Sequence, residues 1–356
     1  MRAPASRILA STLIALIFAA SVLAARYPQP RTDTPLLSGG DYWSYRKLLV
    51  INGSTMDLYN YTIRFIVHYG AGTDSGEHVY LGGKCRADFG DVRFTDGNGT
   101  LLPYWAERVV EGDHAVFWVK VPYIPANGTT TIYIYYGNPE ATMEAYDPRS
   151  IFPFFTDFSD PTIFLEEDPN DHLRIDAAGG RIIFSGLAMN ETAYICYPLQ
   201  ISKDAGFALF FAAVINTSDP GFKMYIGFGD VLGDAGAQTE YLFARFYDGP
   251  ALTPFEISLE KPETPYASVG LTNAWAYGEV RYITLIRDQY GNLTLHIYTD
   301  PERTTEVSGS PLSVEAEYAP QHAFSYLYLI TSENTGSPYA GYGNILAPLF
   351  MTKYVS

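Results

Sequence analysis

Cysteine and charge are both scarce in this chain. Only two of its 356 residues are cysteine, Cys85 and Cys196, and only 17% are charged. Two thiols are too few for a disulfide framework and are not spaced for zinc. Two readings of them stand: one bridge across the two halves of the chain, or two buried free thiols. A bridge would close a loop of about 110 residues and, in the chain-entropy model, stabilise by about 4–5 kcal/mol. The six histidines (His68, His78, His114, His172, His296 and His322) stand singly, which argues against a histidine-built metal site. From Asp41 onward no helical window with apolar residues at i, i+3, i+4 and i+7 competes with the short β-patterned segments. The patterns G-x-S-x-G, H-E-x-x-H and Cys–His are missing too, and with them the commonest hydrolase signatures. Basic residues are in deficit, 23 against 39 acidic ones, for a formal charge of −16. That balance repels phosphate backbones, so nucleic acid is not an expected partner.

What the chain does have is aromatic side chains, an apolar leader and asparagine acceptor sites. Residues 1–25 read as a signal peptide: Arg2 and Arg7 precede the apolar run Ile8 to Val22, and Val22-Leu23-Ala24 offers small residues for cleavage. An uncleaved anchor is the competing reading, because Ile8 to Ala25 is just long enough to span a bilayer. Beyond it no apolar run reaches that length. Seven of the twelve asparagines sit in the N-x-S/T pattern: Asn52, Asn60, Asn98, Asn127, Asn190, Asn216 and Asn292. Sequons spread from end to end beside a leader predict an extracellular or cell-surface glycoprotein.

Tyrosine (29) and phenylalanine (21) are abundant, and the segments that hold them alternate with period two. In YTIRFIVHY, Ile63, Phe65 and Val67 alternate with Thr62, Arg64 and Ile66. HAVFWVKV and TTTIYIYYG repeat the habit, and turn-forming DGNGT, VVEGDH and PYIPANG separate them. The expected fold is all-β, with two antiparallel sandwiches. A linker at 26–40 precedes the first sandwich, 41–137. A second linker at 138–150 breaks the alternation, and a jelly roll fills 151–356. Its clearest element is the hairpin EVRYITLIRDQYGNLTLHIYTD, turning at Asp288–Asn292.

The first sandwich resembles the family called domain of unknown function 2341. The resemblance rests on Trp43, Tyr45, Arg46 and Lys47; on Asp91, Arg93, Phe94 and Asp96; on Leu102 to Trp105 with Glu107; on Val121, Pro122 and Ile124 to Asn127; and on Tyr135 to Pro139. Residues 68–88 are where this chain departs from the pattern. The resemblance implies placement among secreted, multidomain, mostly prokaryotic and archaeal surface proteins; no chemistry comes with it. The second half is similar, in pattern only, to concanavalin-A-like lectin and glucanase jelly rolls, through FFTDFSD, the HIYTD hairpin end and the closing SYLYL and GNILAPLFMTKY strands.

Candidate sites are thin. A jelly-roll glycosidase needs carboxylates alternating along one strand. Glu166-Glu167-Asp168 lies in a Pro-containing loop, and Glu315 and Glu317 precede a turn, so hydrolysis ranks third among the readings. Asp91, Asp96 and Glu107, or Asp168, Asn170 and Asp171, would offer oxygens to a structural calcium; turn formation is the simpler role for them. No other cofactor or metal is expected. Arg46, Arg93 and Glu107 are expected as a buried ion pair of the first sandwich. Trp118 reads as core and Trp275 as an exposed aromatic. With Tyr277, Tyr282 and Tyr298, Trp275 would form a sugar-stacking platform, provided that Ile283 and Leu285 point into the core. The expected role is non-catalytic binding or adhesion, with a cell-surface glycan as partner. The alternative is a structural subunit of a surface layer or filament that self-associates through strand edges.

Overall fold

The computed structural model describes residues 42–144, 146–202, 205–248, 256–261, 267–272, 275–314 and 323–355. The expected leader, the 26–40 linker and the Glu315/Glu317 pair lie outside them. The regular elements of the described residues are twenty-two strands and three short 3-10 helices. Seven strands come first: β1 (Tyr45–Asn52), β2 (Leu58–His68), β3 (His78–Tyr80), β4 (Arg93–Asp96), β5 (Tyr104–Val110), β6 (His114–Ile124) and β7 (Thr129–Tyr136). They form a three-stranded sheet, β1-β7-β4, and a four-stranded sheet, β3-β2-β6-β5. Period-two patterning aims Leu49 and Ile51, Ile132 and Ile134, and Phe65 and Phe117 into the space between the sheets, where all six are wholly buried.

Fifteen further strands build the second sandwich. These are β8 (Phe154–Thr156), β9 (Leu165–Glu167), β10 (Leu173–Asp176), β11 (Arg181–Ala188), β12 (Tyr194–Ile201), β13 (Phe207–Ser218), β14 (Lys223–Gly229) and β15 (Tyr241–Tyr247). Then follow β16 (Glu256–Lys261), β17 (Ala267–Thr272), β18 (Val280–Arg287), β19 (Leu293–Tyr298), β20 (Leu312–Val314), β21 (Phe324–Thr331) and β22 (Ala340–Lys353). One sheet, here the contact sheet, runs β10-β11-β22-β13-β18-β19-β20, with β8 also on β22. The other, the far sheet, runs β17-β16-β15-β14-β21-β12-β9. On β13, Phe207, Leu209, Phe211, Ala213 and Ile215 point into the sandwich core. The hairpin turn forms as its sequence suggests: the Asp288 carboxylate accepts hydrogen bonds from the backbone N–H of Tyr290 (2.9 Å) and Asn292 (2.8 Å).

The two sandwiches share a packed seam. On β2, Ile63, Phe65 and Val67 face the first core, as alternation requires. Their neighbours Thr62, Arg64 and Ile66, which alternation alone would leave to solvent, are also buried. The second sandwich covers them: the Thr62 hydroxyl donates to the Ile151 carbonyl (3.3 Å), and Arg64 donates to the Glu302 carbonyl. Trp118, Phe152, Phe155, Phe210 and Phe350 form the aromatic centre of the seam. Trp118 meets Phe210 at 5.1 Å and Phe350 at 5.3 Å, both edge to face. Trp118 is therefore wholly buried, but between the sandwiches rather than within the first. Residues 138–150 are held against the first sandwich. Tyr146 packs on Tyr104, and Arg93 donates to the Thr142 carbonyl (2.7 Å) and pairs with Glu144 (3.0 Å).

Candidate functional site

The expected stacking platform does not assemble. Trp275 is 6% exposed and sits in the second core, edge to face with Phe246 at 5.4 Å, its indole N–H donating to the Glu279 carbonyl (2.8 Å). The condition placed on Tyr282 is met: Ile283 and Leu285 are wholly buried and Tyr282 points the other way. That outward face is the one turned to the first sandwich, and Tyr298, its partner in register, is only 4% exposed. Tyr277 is half exposed, but its hydroxyl is held by Asp248 (2.6 Å). The four rings thus lie in three different settings. Trp275 was misread because a Gly/Ala-rich approach to a hairpin looks like surface, whereas the ring folds back under the hairpin.

The other expected groupings also rearrange. Arg46, Arg93 and Glu107 are not together: Arg46 lies over Tyr133, Arg93 pairs with Glu144, and Glu107 pairs with Arg303 of the second sandwich (2.7 Å). Of the residues considered for calcium, Asp91, Asp96 and Asp168 serve the backbone. Asp91 accepts from the N–H of Arg86 (2.9 Å) and Gly137 (2.5 Å), and Asp96 from Asn98 and Thr100. Asp168 accepts from His172 and Leu173. Among the described residues, no group of three or more ligating side chains is placed to hold a metal ion. Cys85 lies in the first core and Cys196 beneath an aromatic cluster of the second, so of the two readings the structure follows that of two buried free thiols. Burial pushes each thiol up to about 12.

Two features stand in place of the expected platform. The first is the outer face of the far sheet. There the outward positions of β12, β14, β15 and β21 are Tyr194, Tyr225, Tyr241, Phe243, Tyr326 and Tyr328, a continuous array of rings. Successive centroids lie 6.3 Å apart for Tyr326–Tyr328, 5.9 Å for Tyr328–Phe243 and 5.3 Å for Phe243–Tyr241. The register puts Tyr326 and Tyr241 on either side of Gly229, so the central strand contributes no side chain between the two half-exposed rings. Gln238 closes the base of that slot, its amide N–H bonded to the Val231 carbonyl (2.8 Å) and the Tyr328 hydroxyl (3.2 Å). The rim holds Val231 and Leu232, both exposed, and Glu333, which accepts from Lys223 (3.1 Å) and from the Tyr225 hydroxyl (2.7 Å). Tyr194, Tyr225, Phe243 and Tyr328 are buried, and Tyr241 and Tyr326 are the two rings that keep partial exposure, with a carboxylate and an ammonium at the edge of the patch.

The second feature is a polar cleft of about 250 Å³ where β2 and β3 face the contact sheet. Arg64 and Glu77 wall it from the first sandwich; Thr284, Tyr298, Arg303 and Glu306 wall it from the second. The histidines stand singly in sequence, yet the fold brings three of them together, and one, His78, lines the cleft. His68 Nε2 lies 2.9 Å from His78 Nδ1, and the His68 and His114 rings are 6.1 Å apart. The parallel pairing of β2 with β3 brings His78 to His68, and the antiparallel pairing of β2 with β6 sets His114 opposite it.

Residues 88–167 match the family described as Domain of unknown function (DUF2341). The match starts later than the expected resemblance at about 41–140, and it runs through the 138–150 segment into β8 and β9. No curated protein matches the chain. Among solved structures, the chain is similar to a legume lectin-like domain from Entamoeba histolytica (11% identity, TM-score 0.38, 55% of this chain and 91% of that one). It is similar also to a CBM2 module of the evolved Dit of Lactobacillus casei BL23 phage J-1 (10% identity, TM-score 0.40, 58% and 96%). A third is a GH43 protein from Bacillus licheniformis (10% identity, TM-score 0.41, 88% and 52%).

Proposed function

We propose that this protein is exported, glycosylated and displayed at the cell surface, where it binds carbohydrate without chemically altering it. The observation that carries the reading is the tyrosine array on the far sheet. Its rings lie outward on adjacent strands, away from the first sandwich, and Tyr241 and Tyr326 keep part of their faces in solvent. Rings of this kind bind the apolar face of a pyranose, and the flanking Glu333 and Lys223 supply hydrogen bonds to hydroxyls. The acceptor sites support the surface assignment: Asn60, Asn98, Asn127, Asn190 and Asn216 are exposed, and Asn52 is half-buried. Asn292 is half-buried and donates its amide to Asp288 (2.8 Å), so it should be the least occupied. No helix among the described residues is long and apolar enough to cross a membrane.

The test is a glycan array probed with the full chain beside Tyr241→Ala and Tyr326→Ala. Each truncation should weaken the bound glycan by about tenfold, equivalent to about 1.4 kcal/mol. Unchanged binding by both variants would remove the tyrosine array from the account.

A further inference from the structure

Three exposed tyrosines lie together at one end of the second sandwich. Tyr277, Tyr339 and Tyr342 are between 42% and 50% exposed there. Exposed aromatic surface gathered in one place marks a site where something packs. All three rings are held by their surroundings. The Tyr277 hydroxyl donates to Asp248 (2.6 Å). Tyr339 lies on Gly221, where a Cβ would come within 2.7 Å of its ring. Gly221 in turn donates its N–H to the Asp248 carbonyl (2.5 Å), so both rings frame the turn between β13 and β14. Tyr342 extends toward Gly186, its hydroxyl 3.6 Å from the position a Cβ would take there. Rings fixed in this way lose little freedom when a ligand stacks on them.

Two glycan acceptors lie within this group. Asn216 opens the sequon Asn216-Thr217-Ser218 at the end of β13, and both Asn216 and Thr217 are exposed. On one side β22 flanks the sequon, with Tyr342 opposite Thr217 in the register. The Tyr277 segment flanks it on the other. There the Gly278 N–H donates to the Ile215 carbonyl (2.8 Å), and the Tyr277 hydroxyl lies 3.2 Å from the Ser218 hydroxyl. The Tyr277 side chain therefore runs alongside the sequon. Neighbouring strands are about 4.8 Å apart, so a sugar on Asn216 starts about one strand spacing from a tyrosine on either side. Asn190 is the second acceptor. Met189, just before it, donates its N–H to the Tyr339 carbonyl (3.1 Å).

The attachment points select the occupant. The C–H face of a sugar stacks on a tyrosine ring, but one such stack is too weak to hold a free sugar. A sugar tethered beside the ring meets it at an effective concentration on the order of millimolar, so the same weak contact becomes populated. An outside ligand lacks that tether. We infer that the glycans on Asn216 and Asn190 fold back onto this tyrosine patch, with the Asn216 glycan stacked on Tyr277. They shield the patch from other partners and stabilise this end of the sandwich. The inference rests on the glycosylation proposed above and not on the tyrosine array of the far sheet.

The experiment uses the full chain isolated from its own host, as wild type, Asn216→Gln and Asn98→Gln. Asn98 is the control, an exposed acceptor in a turn of the first sandwich that Asp96 closes. Glycopeptide mass spectrometry reads occupancy, hydroxyl-radical footprinting reads the exposure of each tyrosine, and thermal unfolding reads stability. Asn98, Asn190 and Asn216 should all carry glycans. Tyr277 should react about threefold faster in Asn216→Gln than in wild type, because the stacked sugar is gone. Tyr42, exposed on the first sandwich, should react equally in both. The melting temperature should fall by about 2 °C in Asn216→Gln and stay unchanged in Asn98→Gln. Tyr277→Ala should cost less in Asn216→Gln than in wild type, the coupling expected of groups in contact. If Asn98 and Asn216 are both unmodified, the glycosylation reading falls and this inference with it. A modified Asn98 beside an unmodified Asn216 would leave that reading standing and overturn this inference alone. Equal reactivity of Tyr277 in glycosylated wild type and Asn216→Gln would do the same, and would mark the patch as open to outside partners.

Discussion

The second sandwich has two aromatic outer faces, and they have met different fates. On the contact sheet the central rings are Phe210 and Phe350, stacked at 4.8 Å and covered by Trp118 of the first sandwich. On the far sheet the rings are mostly tyrosine, and the first sandwich does not reach them. Phenylalanine has no polar atom to satisfy, so a second protein layer can close over it freely. Buried tyrosines need a partner for each hydroxyl: Tyr328 donates to the Val231 carbonyl (2.5 Å) and Tyr225 to Glu333 (2.7 Å). A face of tyrosines is cheap to leave half open and costly to seal. On the far sheet Tyr241 and Tyr326 keep partial exposure, while Tyr194, Tyr225, Phe243 and Tyr328 are buried by their own sandwich.

Truncation at the seam gives the largest expected contrast. Trp118→Ala removes a wholly buried ring between the sandwiches and should cost about 3–5 kcal/mol in urea unfolding. Trp275→Ala should cost a similar amount, about 3–5 kcal/mol, because that ring is core. Tyr326→Ala, on the half-open face, should cost about 1 kcal/mol. Equal losses at Trp118 and Tyr326 would show that the two faces are buried alike and would dissolve the distinction.

The charged rim of the seam sharpens the comparison. Glu107 bridges the sandwiches: its two oxygens accept from the Trp118 indole (2.8 Å) and from Arg303 (2.7 Å), and both carboxylate and guanidinium are nearly buried. Glu107→Ala strands the Arg303 charge in the seam and should destabilise by about 3 kcal/mol. Adding Arg303→Met removes the stranded charge and should return at least half of that loss. If the double variant is no better than the single one, the seam depends on Glu107 for some reason other than its charge pairing.

Strands and hairpins were legible in the sequence because their causes are local. Ile63, Phe65 and Val67 alternate, Asp288 caps a turn, and the structure follows both. The seam was not legible, since Thr62, Arg64 and Ile66 carry no mark of being covered by residues some ninety or more positions away. The same reason explains the site residues. Trp275 was judged by its Gly- and Ala-rich neighbours, whereas its burial is decided by Phe246 on another strand. Part of the tyrosine array has a local signal, since Tyr241 and Phe243 in TEYLFARFY and Tyr326 and Tyr328 in SYLYL stand at alternate positions; only the pairing of β14 with both strands aligns them around Gly229. Glu107 was recognised as buried and charged; its partner, 196 positions away, could not have been read from spacing.

The smallest expected effect is a pH dependence confined to the histidine edge of the seam. His68 stacks on Tyr80 at 4.3 Å and on His78 at 5.2 Å. Burial, reinforced by His78 and His114 and opposed by Asp113, pushes its pKa below the ordinary 6.5. The unfolded chain then takes up a proton before the folded one does. Above about pH 6.5 both states are neutral at this position and it contributes no slope; as pH falls from there toward the lowered folded value, stability is lost. The carboxylates act in a different window. Asp88, held down to about 2 by its hydrogen bond to Arg86, contributes stability that persists until the pH drops below the unfolded carboxylate value of 3.8. Melting temperature should therefore decline modestly as the pH falls below about 6.5, and His68→Gln should flatten that decline while leaving the steeper acid limb below about pH 4 in place. A decline that persists in His68→Gln would assign the neutral-pH slope to other groups and leave the histidine edge a packing contact only.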